Sequence, residues 1–148
     1  MYKKIIVAID DSETSRCALT EALNIARAAG AKLYIAHVAD EVLLGMHQRT
    51  MSTTLNLDHA MDAIRGAGAK VLEDALALAS GVDAETILLE TTKRRVSEVL
   101  VDKARELGCD LIVIGRHGQR GLALLILGSV AEQVAKLSDA SVLLVRKH

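Results

Sequence analysis

The strongest constraint in this chain is a repeated change of hydrophobic period. Five short runs are apolar and rich in β-branched residues: Lys4 to Ile9, Lys32 to Val38, Ala84 to Leu89, Ile112 to Ile114, and Ser141 to Val145. Between them, apolar residues recur at helical spacing. Ala18, Ala22, Ile25 and Ala29 form one stripe, and Leu57, Met61, Ile64, Val71, Ala75 and Leu78 a second. Val96, Val99, Leu100, Ala104 and Leu107 form a third, and Val130, Val134 and Leu137 a fourth. Short apolar runs of the first kind read as strands, and recurrence every three or four residues reads as amphipathic helix. Gly30, Gly81 and Gly108 each stand between the end of a helical stripe and the next strand. Glycine there can take the left-handed conformation that ends a helix without a Cβ penalty. Regular alternation of strand and helix predicts an α/β fold of Rossmann-like kind: a five-stranded parallel sheet in the order 3-2-1-4-5, with right-handed crossovers and helices on both faces. The length of 148 residues suits one domain, residues 1–148. With no proline in the chain, no proline-marked linker divides it.

Composition narrows the function classes. Hydrophobic residues make up 51% of the chain, yet Phe and Trp are absent and Tyr2 and Tyr34 are the only aromatics. A core of Ala, Leu, Ile and Val suits parallel strands covered on both faces. It offers little for base stacking, and a net charge of −1 is no basic footprint, so a nucleic-acid partner is not expected. The apolar run near Met1 is too short for a signal-peptide core, and Asp10 and Asp11 follow at once. No apolar stretch approaches the roughly 20 residues that span a bilayer. A cytoplasmic protein without membrane contact is expected. Cys17 and Cys109 form no metal-type pair and read as reduced, mostly buried thiols.

In open α/β sheets, ligands bind beyond the carboxyl ends of the strands, where the strand order reverses. Strand one ends in Val7-Ala8-Ile9-Asp10-Asp11-Ser12, strand two in Ala36-His37-Val38. Strand four ends in Val113-Ile114-Gly115 and runs into Arg116-His117-Gly118, with Gly128-Ser129 after nine more residues. Gly115 and Gly118 allow the backbone to approach an anion and turn N–H groups toward it. Ser129 falls where the fourth helix should begin, and Ser129 with Glu132 fits a capping box. A helix start presents unpaired N–H groups and partial positive charge, which suits a phosphate. Taken alone, the same glycines could only make turns and Ser129 could only cap.

The spacing Gly115-x2-Gly118-x9-Gly128-Ser129 resembles the G-x2-G-x9-G-(S/T) motif of ATP-binding universal stress proteins. The resemblance extends along the chain, through the Val-Ala-Ile-Asp-Asp-Ser opening, the stretch from Gly121 to Val134, and the closing Ser-Val-Leu-Leu-Val-Arg. It implies an ATP-binding stress-response regulatory protein. Asp10 would contact the adenosine part and Val38 the adenine through its backbone, with Ile114 bordering the pocket. Gly115, Gly118, Gly128, Ser129 and Val130 would surround ribose and phosphates. A branched side chain at Gly128 would then occupy the phosphate position. Ala8 stands where many members have Pro, Asp11 where many have Gly, and Arg116 replaces a small residue. The Arg116 guanidinium could add a bidentate phosphate contact or point to solvent, the reading its loop position favours. Members also commonly pair as homodimers through the last strand, Ser141 to Val145, and an exposed apolar edge invites such pairing.

Other residues carry less. His117 lies inside the motif, but nothing in sequence supplies it with a nucleophile or an orienting carboxylate. Asp10 and Asp11 could hold Mg2+, or one could simply pack or cap the first helix. His47, His59, Met46 and Met51 fit no standard metal spacing. Lys93, Arg94 and Arg95 read as a solvated helix start. The stretch Asp40 to Asn56 reads as a mobile connection beyond strand two, where loops often border ligands. No Walker or kinase signature is present. Regulatory nucleotide binding is therefore the leading reading. A slow ATPase or phosphotransfer enzyme, or a ligand-free interaction module, are the alternatives.

Overall fold

Each apolar run becomes a strand of one parallel sheet in the computed structural model, which describes residues 1–40, 55–117 and 127–147. The connection 41–54 and Gly118 of the glycine motif lie outside the described residues. The strands are β1 (Lys4–Ala8), β2 (Lys32–Asp40), β3 (Ala84–Thr91), β4 (Leu111–Gly115) and β5 (Ser141–Val145). Their order is β3-β2-β1-β4-β5, all pairs parallel, as the alternation predicts. The helices are α1 (Glu13–Ala29), α2 (Leu55–Ala77), α3 (Val96–Leu107) and α4 (Ser129–Leu137).

Successive strand side chains point to opposite faces, and this splits the core in two. Ile5, Val7, Leu33, Ile35, Leu111 and Val113 pack under α1 and α2. Ile6, Tyr34, Ala36, Ile112 and Ile114 pack under α3 and α4. The central strands are buried on both faces, which is why they read as continuous apolar runs.

Helix ends follow local chemistry. Ser12 caps α1 by accepting the Ser15 N–H through its hydroxyl at 3.2 Å. Gly30, Gly81 and Gly108 all have positive φ, at 63°, 76° and 68°. Several boundaries differ from expectation: β1 stops at Ala8 rather than Ile9, and β4 spans Leu111–Gly115 rather than Ile112 to Ile114. β2 and β3 run on to Asp40 and Thr91 because they pair with each other that far. Leu78, assigned by its spacing to the apolar stripe, is 64% exposed. α2 ends at Ala77, and tight turns from Ala75 and Leu76 rotate Leu78 outward; Leu72 is buried in the stripe instead.

The amino end of the sheet is held by Asp110. Its carboxylate accepts the Lys3 N–H at 2.9 Å and the Lys4 N–H at 3.2 Å, while its own N–H donates to the Lys4 carbonyl at 2.9 Å. The two outer strands differ. β3 exposes Glu85 and Glu90, paired with Lys32 and Arg65, together with Leu88. β5 carries Val142, Leu143 and Leu144, with Leu144 exposed. Both cysteines are free, and burial pushes the Cys109 thiol up to about 11. Among the described residues no helix is long and apolar enough to cross a membrane.

Two glycine substitutions should move stability in opposite directions. A Cβ at Gly108 or at Gly66 meets nothing within 4 Å, so backbone preference decides. Gly108→Ala should cost about 1–2 kcal/mol, because an L-residue is disfavoured at positive φ. Gly66→Ala, inside α2, should gain about 0.5–1 kcal/mol. Urea denaturation checks this: the midpoints should shift apart at an unchanged slope.

Candidate functional site

The carboxyl edge of the sheet opens where β1 stops. β1 pairs with β2 up to Ala8↔Ala36 and with β4 up to Ala8↔Ile114. Beyond Ala8 the chain enters α1, which leads to β2 on one side, while β4 lies on the other. This is the point where strand order reverses, and a crevice there is general to open α/β sheets.

The β1 end is tied by a set of hydrogen bonds. The Ile9 N–H donates to the Ala36 carbonyl at 2.8 Å. The Ile9 carbonyl lies 2.8 Å from His37 Nδ1; since a carbonyl only accepts, that nitrogen carries the proton. The Asp10 N–H donates to Ser15 Oγ at 2.8 Å, and the Ser15 hydroxyl donates to the Asp10 carbonyl at 3.1 Å. Ser15 is buried. The Ser12 N–H donates to Asp10 Oδ1 at 2.8 Å, an Asx turn that fixes the half-buried carboxylate. Asp10 thus supports the start of α1, with Ser12 as the cap itself. Asp11 is exposed.

The β4 end is shaped by two close approaches. A Cβ on Gly115 would lie 3.0 Å from Thr14 Cγ2 and 3.3 Å from the Thr14 carbonyl carbon. The sequence reading gave Gly115 room for a phosphate; the approach it permits here is that of the first turn of α1. The Arg116 N–H extends the ladder by donating to the Val145 carbonyl at 2.6 Å. The Arg116 carbonyl then accepts the Gly128 N–H at 2.9 Å, closing the turn on itself. A Cβ on Gly128 would fall 2.9 Å from that same oxygen and 3.4 Å from His117 Cα. A branched side chain at Gly128 therefore strikes this turn first.

The start of α4 also departs from expectation. Gly128 is the N-cap, with φ −59° and ψ 144°, and as a glycine it supplies no side-chain cap. Ser129 is the first helical residue and is exposed. The Ser129–Glu132 capping box does not form, because Ser129 sits one position late and Glu132 pairs with Lys136 at 2.7 Å. Among the described residues the first N–H groups of α4 have no side-chain partner, and a helix start of this kind carries partial positive charge.

Ala8, Asp10, Val38, Ile114, Gly115, Arg116, His117, Gly128, Ser129 and Val130 all fall on this one edge, at the ends of β1, β2 and β4 and the start of α4. Arg116 and His117 are half-buried. Lys93, Arg94 and Arg95 are exposed at the start of α3, where Arg94 pairs with Asp102 and the Arg95 N–H donates to Glu98 Oε2 at 3.2 Å. His59 is exposed on α2. No cluster of three His, Cys, Asp or Glu side chains suited to a metal occurs among the described residues. At the rim, the ammonium of Lys147 lies 2.6 Å from Glu13; this hydrogen bond holds the Glu13 carboxyl below the usual carboxylate range. Thr14, Ser15, His37 and Gly68 shape the site but escape a motif reading. A depression of about 400 Å³ at the opposite end, lined by Val101, Ala104, Cys109, Ser138 and Ala140, has its rim charges Arg105 and Asp139 already paired at 2.9 Å.

The sequence profile of the universal stress protein family matches residues 1–146. The chain belongs to this family. Universal stress protein YxiE of Bacillus subtilis (strain 168) is 37% identical, with 99% of this chain and 100% of that protein aligned. A solved structure from the universal stress protein family of Burkholderia pseudomallei is 33% identical, covers 97% of this chain and 95% of its own, and has a TM-score of 0.73. A universal stress protein solved in complex with cAMP is 29% identical over 97% of each chain, with a TM-score of 0.69.

The clasp at the β1 end should be measurable in stability. Ser15→Ala removes the hydroxyl that serves both the N–H and the carbonyl of Asp10, and should cost about 1–3 kcal/mol. A lower urea midpoint at unchanged slope is the expected result; an unchanged midpoint would show that water replaces the hydroxyl freely.

Proposed function

We propose that this chain binds an adenine nucleotide, ATP, at the carboxyl edge of its sheet and acts as a stress-response regulatory protein rather than an enzyme. The observation that carries the reading is the start of α4, whose N-cap Gly128 supplies no side-chain cap, at the same edge of the sheet as Asp10, Val38 and the end of β4. Helix N–H groups and the Ser129 hydroxyl suit phosphates. The half-buried Asp10 carboxylate, which accepts only, suits ribose hydroxyls. Gly115, Arg116, His117, Gly118, Gly128 and Val130 would line the phosphate and ribose side, and Ala8 and Ile114 the floor. The relative solved with cAMP supports an adenine nucleotide as the ligand class. Mg2+ would accompany the phosphates. The gathered groups are those of a binding site, and this supports regulation over turnover.

We further propose a cytoplasmic homodimer formed through β5. The support is its place at the sheet edge with Leu144 exposed, since an unpaired apolar edge favours association with a second copy.

Calorimetric titration with ATP, ADP, AMP, cAMP and adenosine, with and without Mg2+, tests the site. Each charge-assisted hydrogen bond contributes about 1.5–3 kcal/mol, so ATP should bind roughly ten-fold or more tightly than adenosine. Ser129→Ala should weaken ATP and leave adenosine unchanged. Equal affinity of the wild-type protein for ATP and adenosine would remove the phosphate reading.

A further inference from the structure

The β1–β2 ladder stops in an unusual way. In a parallel ladder, a residue's N–H and carbonyl bond to two residues of the partner strand that flank the one opposite. The Ile9 N–H follows this rule with the Ala36 carbonyl. The next bond in sequence would run from the Val38 N–H to the Ile9 carbonyl. That carbonyl accepts instead from His37 Nδ1 at 2.8 Å. No backbone bond from Val38 to Ile9 forms among the described residues. A side chain has replaced a ladder bond, and the Val38 N–H is left facing the space beyond the end of β1.

The ring is held there from behind. His37 shares a face of β2 with Leu33 and Ile35, the face covered by α1 and α2. A Cβ at Gly68 of α2 would fall 2.7 Å from His37 Cδ2, 3.0 Å from Leu88 Cδ1 and 3.2 Å from His37 Nε2. Gly68 is buried in the interior of α2, where glycine costs a helix about 0.5–1 kcal/mol relative to alanine. The helix carries that cost where the imidazole and Leu88 need the room.

We infer that His37 is a positioning residue for base recognition. By taking the Ile9 carbonyl, it keeps the Val38 N–H unpaired and aimed at the crevice, where it can donate to an unprotonated ring nitrogen of a purine. This inference rests on the nucleotide reading above. An adenine ring offers an acceptor nitrogen beside its amino group. A hypoxanthine ring carries a proton on that nitrogen and an oxygen in place of the amino group. The site should therefore prefer ATP to ITP, because a buried donor without an acceptor opposes the wrong base.

The test has two parts. In the ligand-free protein, amide hydrogen exchange followed by NMR should show the Val38 N–H exchanging at least about ten-fold faster than the Ala36 N–H, which lies inside the β1–β2 register. His37→Leu removes the donor, so the Val38 N–H should bond to the Ile9 carbonyl and become protected. His37→Asn places an amide nitrogen near the position of Nδ1 and should restore wild-type exchange. Gly68→Ala should displace the ring and reproduce the His37→Leu result from another element. Titration then reads the consequence: in His37→Leu, ATP and adenosine should weaken by similar factors of about ten, and the ATP-to-ITP preference should collapse, with His37→Asn recovering both. Slow exchange of Val38 in the wild type would overturn the inference, whatever the ligand. So would a folded His37→Leu that keeps both affinity and base preference. If the wild type shows the fast Val38 amide but binds no adenine nucleotide, the nucleotide reading falls, and the role in base recognition falls with it.

Discussion

The structure depends on a central strand that is hydrogen-bonded on both sides and is very short. β1 pairs with β2 and β4 over the same few residues, with Ile5, Ile6 and Val7 wholly buried. Its two neighbours continue past it, and β2 runs on to Asp40. A parallel sheet that loses its middle strand at one edge must expose backbone groups from the strands that continue. Those groups are polar and lie next to a buried apolar core, so they need partners. The end of β1 meets this need with side chains: Ser15 serves both Asp10 backbone groups, Asp10 serves Ser12, and His37 serves Ile9. What these side chains leave unserved is what a ligand can use.

The same logic governs the other wall. Gly128 folds back to within hydrogen-bond distance of Arg116, which fixes where α4 starts and puts a residue with no side chain at its cap. Had Ser129 fallen one position earlier, its hydroxyl would have satisfied the helix and competed with an anion. Two glycines in this wall are needed for close contacts within the chain itself, Gly115 against Thr14 and Gly128 against Arg116. Their spacing in sequence therefore reflects the construction of the turn as well as any ligand it holds.

The fold was legible because its signals are local and repeated. Five changes of period and three junction glycines, all at positive φ, leave little freedom in the architecture. The placement of the site on one edge was legible for the same reason, since the ends of strands one, two and four could be read off. What escaped were contacts made at a distance. His37 meets Ile9 across 28 residues, and the close approach at Gly68 is to His37 of β2 and Leu88 of β3 rather than within its own helix. Ser129 was read as a cap because serine suits that position in general; only the path of the chain through Gly128 shows that it is not one. Leu78 fits the period of α2 but lies just past its end.

The two outer strands have different consequences for growth of the sheet. β3 presents Glu85 and Glu90, each engaged with a cation of its own chain, and β5 presents Leu144. A sheet with two bare edges can add copies without limit, end to end, as fibrils do. Both edges expose one leucine to the same extent, Leu88 on β3 and Leu144 on β5, so what separates them is the pair of ion-paired glutamates on β3. In the proposed pairing through β5, the composite sheet would end in β3 at each flank, where Glu85 and Glu90 oppose the addition of another strand. Growth by that route would stop at two copies.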